Sequence, residues 1–171
     1  MTAYALRPAV TGDARAMGEV AAEGFETYRS FAPPGWSPPA TEGEIARLQE
    51  LLGDDDVWYR VAEVEGAIVG HVGFLPAGRA HRPLADPQLA HFRQLFVLRA
   101  HWGTGLAARL HAAAIEEARA RGFAAMRLFT PAGQARARRF YEREGWRLAG
   151  EPAFDGRIGF DVAEYRYALG R

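Results

Sequence analysis

Residues 95–108 read LFVLRAHWGTGLAA. An apolar strand end, Leu95-Phe96-Val97, runs into a short polar turn, then Gly103 and Gly105, then a helix opening at Leu106. The first N–H groups of a helix have no intrahelical acceptor and lie at the positive end of its dipole. Glycines in front of them let an anion approach bare backbone. The stretch therefore predicts a phosphate site, and with it a nucleotide-like ligand.

Several kinds of site use such a turn. Gly103-Thr104-Gly105-Leu106-Ala107-Ala108 matches G-x-G-x-x-A, the dinucleotide-binding fingerprint. In that fold the first glycine closes the strand directly, whereas here residues 98–102 intervene, and no acidic residue stands at 123–130 to hold a ribose. A P-loop needs a lysine, and all 21 basic residues of this chain are arginine. A glycine pair that only starts a helix is the non-binding alternative.

Composition narrows the owner further. A chain of 171 residues is long enough to bury a sizeable core as one domain, 1–171. With no cysteine there are no disulfides, thiolate metal sites or thiol nucleophiles. The histidines at 71, 81, 91, 101 and 111 match no ligand spacing and no carboxylate cluster accompanies them, so no metal is expected. Basic and acidic residues balance at 21 each, which leaves no global field to draw nucleic acid or an anionic membrane. Residues 1–13 show no basic-then-apolar leader, and no apolar run reaches the roughly 18 residues of a membrane span, so a soluble cytoplasmic protein is expected.

Along the chain helix and strand signals alternate without a linker or repeat. Strands are predicted at 4–7, 57–64, 67–75, 89–97, 125–130, 146–150 and 164–169. Thr11 or Asp13 starts a helix whose apolar positions run to Phe25, and Thr41 with Glu44 forms a capping box for a second. The helix after the glycines runs to about Gly122, and another covers 134–144. Between the first two helices, a loop at 27–40 holds four prolines beside Tyr28, Phe31 and Trp36. The order predicts an α/β sandwich with a mixed, mostly antiparallel sheet and helices on both faces.

The spacing of the glycine turn resembles motif A of the GNAT superfamily of N-acetyltransferases, where a strand ending L-x-V is followed five residues later by [Q/R]-x-x-G-x-[G/A]. Leu95-Phe96-Val97 corresponds to the strand end, and Trp102-Gly103-Thr104-Gly105-Leu106-Ala107 to the turn, with Trp102 in place of the usual Gln or Arg. The downstream pattern N-x-x-A-x-x-x-Y appears as Gln134-Ala135-Arg136-Ala137-Arg138-Arg139-Phe140-Tyr141, followed by Glu-Gly-Trp. Leu6-Arg7-Pro8-Ala9 leading to a helix is similar to the family's opening.

The resemblance implies acetyl transfer from acetyl-CoA to an amine by direct attack. It implies that backbone groups of 95–97 pair with the pantetheine chain as an extra strand would, and that Trp102 and the backbone of Gly103 to Ala108 hold the pyrophosphate. Gln134, in place of the family Asn, is expected on pantetheine, and Arg138, with Arg109 or Arg139 as alternatives, on the 3′-phosphate. Tyr141 stands where many family members carry a tyrosine that protonates the departing thiolate, and a phenol stays protonated at neutral pH. His91, six residues before Val97, occupies the position of the general base in the histone-acetylating branch; His71 or a water chain could substitute.

Tyr28, Phe31 and Trp36 are expected to rim the acceptor end of the cleft, a surface suited to a small amine with an apolar or cationic portion. Glu23 and Glu26 are candidates to attract an ammonium group, and residues 154–161 to form the opposite wall. The acceptor is expected to be a small-molecule or peptide amine. A homodimer through the closing strands is compatible with families of this shape, although no sequence pattern establishes one. The alternative from another class is a non-catalytic sensory module that binds acetyl-CoA without turnover.

Overall fold

Strand β2 (Trp58–Val64) shows how the chain sorts its side chains. Trp58 and Ala62 enter one apolar core, while Tyr59 and Val61 enter another. Successive strand residues point to opposite faces, so a strand apolar on both faces needs cover on both. Helices provide it in the computed structural model, which describes residues 2–170. On one face α1 (Ala14–Glu26) and α2 (Thr41–Leu51) bury Met17, Ile45 and Leu48 beside Tyr59 and Val61. On the other, α3 (Leu106–Ala120) sets Leu106, Leu110, Ala114 and Ala118 against the sheet, and α4 (Ala135–Arg143) adds Tyr141.

The sheet has eight strands, completed by β1 (Ala5–Pro8), β3 (Ala67–Pro76), β4 (Leu89–Val97), β5 (Ala125–Pro131), β6 (Arg147–Leu148), β7 (Ala153–Asp155) and β8 (Phe160–Ala168). Their order is β1-β2-β3-β4-β5-β8-β6, with β7 paired to β8. Every pairing is antiparallel except β4 with β5, as a helical crossover between neighbouring strands requires. The expected mixed α/β sandwich is therefore the fold. The strand expected over 146–150 shrinks to Arg147–Leu148, and 153–168 forms a hairpin of β7 and β8 where only a closing strand at 164–169 is predicted. Among the described residues no helix is long and apolar enough to cross a membrane.

Two irregularities in β4 position everything that follows. Gly73 of β3 faces Gln94 and the adjacent Phe74 faces Phe92, so Arg93 is an extra residue bulged out of the ladder. A bulge bends a strand and raises its twist. On its other edge β4 pairs with β5 only at Leu89, Ala90 and His91. Beyond that rung β4 continues on β3 alone and β5 on β8, which opens a wedge between two central strands.

The bulge turns Arg93 and Gln94 toward the same side, and both reach Glu44 of α2. Arg93 Nη1 and Nη2 each donate to Glu44 Oε1 at 3.1 Å, and Gln94 Nε2 donates to it at 2.6 Å. Arg93 also donates to the Tyr59 hydroxyl at 2.8 Å. Gln94 Oε1 in turn accepts from His71 Nε2 at 3.1 Å, which fixes the Nε2–H tautomer of that buried imidazole. The capping box expected of Thr41 and Glu44 does not form: Ala40 precedes the first turn and makes no side-chain cap. Glu44 is drawn inward because a charge-assisted pair in a water-poor site outweighs one hydrogen bond to an end N–H. Truncating one partner strands the other charge. Glu44→Ala is expected to lower unfolding free energy by about 3–5 kcal/mol in urea denaturation, whereas a loss under about 1 kcal/mol would equate the pair with a surface ion pair.

Candidate active site

A cleft of about 710 Å³ runs from the β4–β5 wedge past the glycine turn to α4. Gly103 and Gly105 have φ of +75° and +83°, the left-handed region where only glycine is unstrained. An added Cβ at either would meet nothing within 4 Å, so backbone conformation, not crowding, selects glycine here. Gly105 stands before the first turn of α3 and makes no side-chain cap. Leu106 N lies 3.4 Å from the Thr104 hydroxyl, and the N–H groups of Ala107 and Ala108 precede the first intrahelical bond, from Arg109 N to Gly105 O. This helix start points uncapped donors into the cleft, lined here by Gly103, Gly105, Leu106, Ala107 and Ala108. Thr104 does not line it and donates instead to His101 O at 2.7 Å, bracing the turn.

Trp102 has a clear role in this geometry. Its indole Nε1–H donates to Val97 O at 2.8 Å, tying the turn to the last residue of β4. Its ring is near two guanidinium groups, with Arg136 Cζ 3.5 Å and Arg99 Cζ 5.3 Å from the centroid. Arg136 belongs to α4 and Arg99 to the 3₁₀ turn after β4, and both line the cleft. Neither side chain has a carboxylate within 4.0 Å among the described residues; Glu23 spends its carboxylate on the backbone N–H of Arg99, at 2.6 Å. Burial and the neighbouring Arg99 charge both lower the pKa of Arg136. The indole thus holds together two like charges that await an anion.

Farther along, Leu95, Phe96 and Val97 line the cleft, as does Gln134, whose Nε2 lies 3.3 Å from the Thr27 hydroxyl. Tyr141 also lines it, buried against Phe92, Phe140 and Trp146 at centroid distances of 6.1, 5.4 and 5.9 Å. Burial, with Tyr28 nearby, pushes its phenol pKa above the usual value of 10.0, so it is protonated at neutral pH.

A second cavity of about 580 Å³ opens on the α1–α2 face. Tyr28, Arg93, Gln94, Phe96, Phe129 and Pro131 line both, so the two spaces meet at the wedge. His91 lines only the second, at the last paired rung of β4 and β5. It is 9% exposed and its Nδ1 has no partner. Burial and the surrounding Arg127, Arg93 and Arg157 push its pKa down to about 3, so the ring is neutral. His71 is fully buried, with its pKa pushed down to about 4 mainly by burial, and it belongs to the Glu44 network.

The remaining residues expected at the site lie elsewhere. Arg138 turns into the fold, donating to the Tyr165 hydroxyl at 2.9 Å and to Ala132 O at 3.0 Å, and lines neither cavity. Arg109 donates to Tyr4 O, while Arg139 lines the first cleft. Phe31 and Trp36 also line neither cavity. They pack on Tyr28 and Phe160, and Trp36 Nε1 donates to Ile158 O, so these rings clamp the 27–40 loop onto the β7–β8 hairpin. Bulky aromatics find more apolar area against each other than at a wet rim. Glu26 pairs with Arg29 at 2.6 Å and is likewise absent from both cavities. Of residues 154–161, expected as an opposite wall, Asp155, Arg157 and Ile158 line the second cavity. Arg99, Arg136, Arg93 and Arg157 escaped the sequence reading; an arginine inside the apolar run of β4 was the one legible sign.

The architecture is shared with known acetyltransferases. A sequence model of the acetyltransferase (GNAT) family matches residues 22–146. No curated protein matched the chain in sequence. Among solved structures, an N-acetyltransferase of Staphylococcus aureus Mu50 is 19% identical, with a TM-score of 0.76 over 98% of this chain and 99% of that one. The PaiA N-acetyltransferase of Thermoplasma acidophilum, in complex with coenzyme A, is 16% identical at TM-score 0.73, covering 96% and 99%. Salmonella typhimurium yncA, with its cofactor acetyl-CoA, is 21% identical at TM-score 0.71, covering 99% and 95%. At these identities the structures establish a common fold, and the family match covers most of the chain: the protein belongs to the acetyltransferase (GNAT) family.

Proposed function

We propose that the protein transfers the acetyl group of acetyl-CoA directly to a primary amine of a small molecule or peptide. The observation that carries this reading is the meeting of two cavities at the β4–β5 wedge, one ending in an anion-seeking helix start and the other in a neutral histidine. The residues fit the donor along its length. Uncapped N–H groups at Ala107 and Ala108, with Arg99 and Arg136 on Trp102, suit the phosphates. The unpaired edge of β4 at Leu95 to Val97 suits the pantetheine amides, as an added strand would, with Gln134 beside it. When bound, acetyl-CoA supplies an activated acetyl carbon as a thioester.

In the transfer a nitrogen–carbon bond forms, the carbon–sulfur bond breaks, one proton leaves the nitrogen and one reaches the sulfur. Tyr141, which lines the donor cleft, is the group assigned to donate toward the sulfur. Burial raises its pKa, and the same dry surroundings raise the proton affinity of a thiolate, so a hydrogen bond between them strengthens as charge develops. His91 faces the acceptor side. With its pKa near 3 it holds no proton at neutral pH, and it serves better as a hydrogen-bond acceptor that aims the amine than as a base that stores the amine's proton. The cations that depress His91 act on an ammonium in the same way, favouring the free amine needed for attack.

Tyr141→Phe is expected to reduce kcat/KM for acetyl transfer by about 10²–10⁴-fold while acetyl-CoA affinity by calorimetry stays within about twofold. Unaltered turnover across a panel of amines would remove Tyr141 from the reaction. The pH profile should rise with deprotonation of the amine and show no inflection near the ordinary imidazole value of about 6.5. His91→Ala should lower the rate by about tenfold or more at every pH between about 6 and 9. An inflection near 6.5 in the parent that disappears in the variant would instead establish His91 as a titrating base.

A further inference from the structure

The acceptor cavity is cationic in a chain whose net charge is zero. Five arginines line it against two carboxylates, Glu44 and Asp155; Arg47 and Arg79 are paired outside it, with Glu50 and with Asp54 and Asp56, which leaves Arg82, Arg93 and Arg157 facing the two. Both carboxylates are engaged. Glu44 is taken by Arg93 and Gln94. Asp155 accepts from the backbone N–H of Arg157 at 2.9 Å and stands 4.0 Å from Arg82 and 3.9 Å from His81. The guanidinium of Arg157 has no carboxylate within 4.0 Å among the described residues.

Next to His91, outside the lining itself, one more arginine repeats the pattern. Arg127, in register with His91 on the adjacent strand, is 4% exposed. It has no ion pair among the described residues, and its Nε has no hydrogen-bond partner. Arg127 and Arg82 lie on the same Phe129 ring, at 5.0 and 5.2 Å from its centroid, and Arg127 donates to Arg82 O. Like charges gathered in a partly dry space raise each other's energy, and an anion relieves that cost. The lining also has an apolar part, with Phe25, Leu75, Phe96 and Ile158.

We propose that the acceptor is a small amine that also carries an acid group, carboxylate or phosphonate, held by Arg157 and Arg82 at the mouth of this cavity with an apolar remainder against Phe25 and Ile158. This deepens the acetyltransferase reading and rests on it. It also replaces the expectation of an apolar or cationic acceptor drawn from Phe31 and Trp36, which do not line the cavity. The division of labour is physical. The acid supplies affinity where the field is positive, while the same field lowers the pKa of the ammonium end and presents a free amine beside His91. Pairing also favours arginine, whose planar donors match an oxyacid in two-point contact.

The test compares amines that differ only in the acid: L-leucine with L-leucinamide, β-alanine with β-alaninamide, and the phosphonate analogue of leucine to separate the two oxyacids. Acetyl transfer should favour the acid of at least one pair by about tenfold or more in kcat/KM. Arg157→Gln should collapse that preference through KM, and raising ionic strength should weaken it. Calorimetric titration of the same compounds into protein saturated with coenzyme A provides a readout that needs no turnover. There the acid should bind about tenfold or more tightly than its amide. Amides that equal or exceed their acids in both assays, or a preference that survives Arg157→Gln, would overturn the proposal. Failure of acetyl-CoA to bind, or its consumption with no amine, would instead count against the acetyltransferase reading; acid binding by calorimetry would still stand or fall separately.

Discussion

The ion pair between Glu44 and Arg93 sets the geometry on which the site depends. Arg93 is the residue β4 has in excess over β3, and its side chain gains partners that offset the pairing the bulge disrupts. Here it finds a bidentate carboxylate from α2 and a phenol from β2. The partners come from two elements, α2 and β2, so the bulge is braced by the packing of α2 on the sheet. The strand bends at that point, and its edge parts from β5 after His91. The wedge, the two cavities and their meeting all follow from this one local defect.

Charge is distributed with the same logic. A chain with equal acidic and basic totals has little far field, yet both cavities carry uncompensated arginines. The donor side has Arg99 and Arg136 on Trp102; the acceptor side has Arg82 on Phe129, with Arg157 in the same lining and Arg127 behind it on the same ring. In both places an aromatic ring holds guanidinium groups where carboxylates do not. Several surface arginines away from the cavities are paired, as Arg15 is with Glu42 and Arg121 with Glu117. Net charge therefore says little about the ligands of this protein, while the local charge balance says a good deal.

Much of the fold was legible in the sequence because it rests on local chemistry. The expected β4 spans 89–97 as found, and α3 ends before Gly122, which takes a left-handed φ of +85°. The glycine turn was recognisable since φ above zero restricts the residue type. What escaped rests on contacts between distant positions. Glu44 looks like a capping residue until the bulge brings Arg93 to it, and Arg138 looks exposed until Tyr165 lies beside it. Phe31 and Trp36 read as a binding rim because the short β7, whose hairpin gives them Phe160 and Ile158, has almost no period-two signal over three residues. Trp102, anomalous by comparison with the family motif, becomes intelligible only when Arg136 arrives from a helix later in the chain.

Everything at the site depends on whether the unpaired edge of β4 receives the donor. Amide hydrogen exchange with and without acetyl-CoA addresses that directly, because an edge N–H that gains an acceptor slows its exchange. Slowing should appear in residues 95–97 of β4 and in the first turn of α3. Unchanged exchange across both segments at saturating acetyl-CoA, or protection confined to another part of the sheet, would contradict the placement of the donor in the wedge.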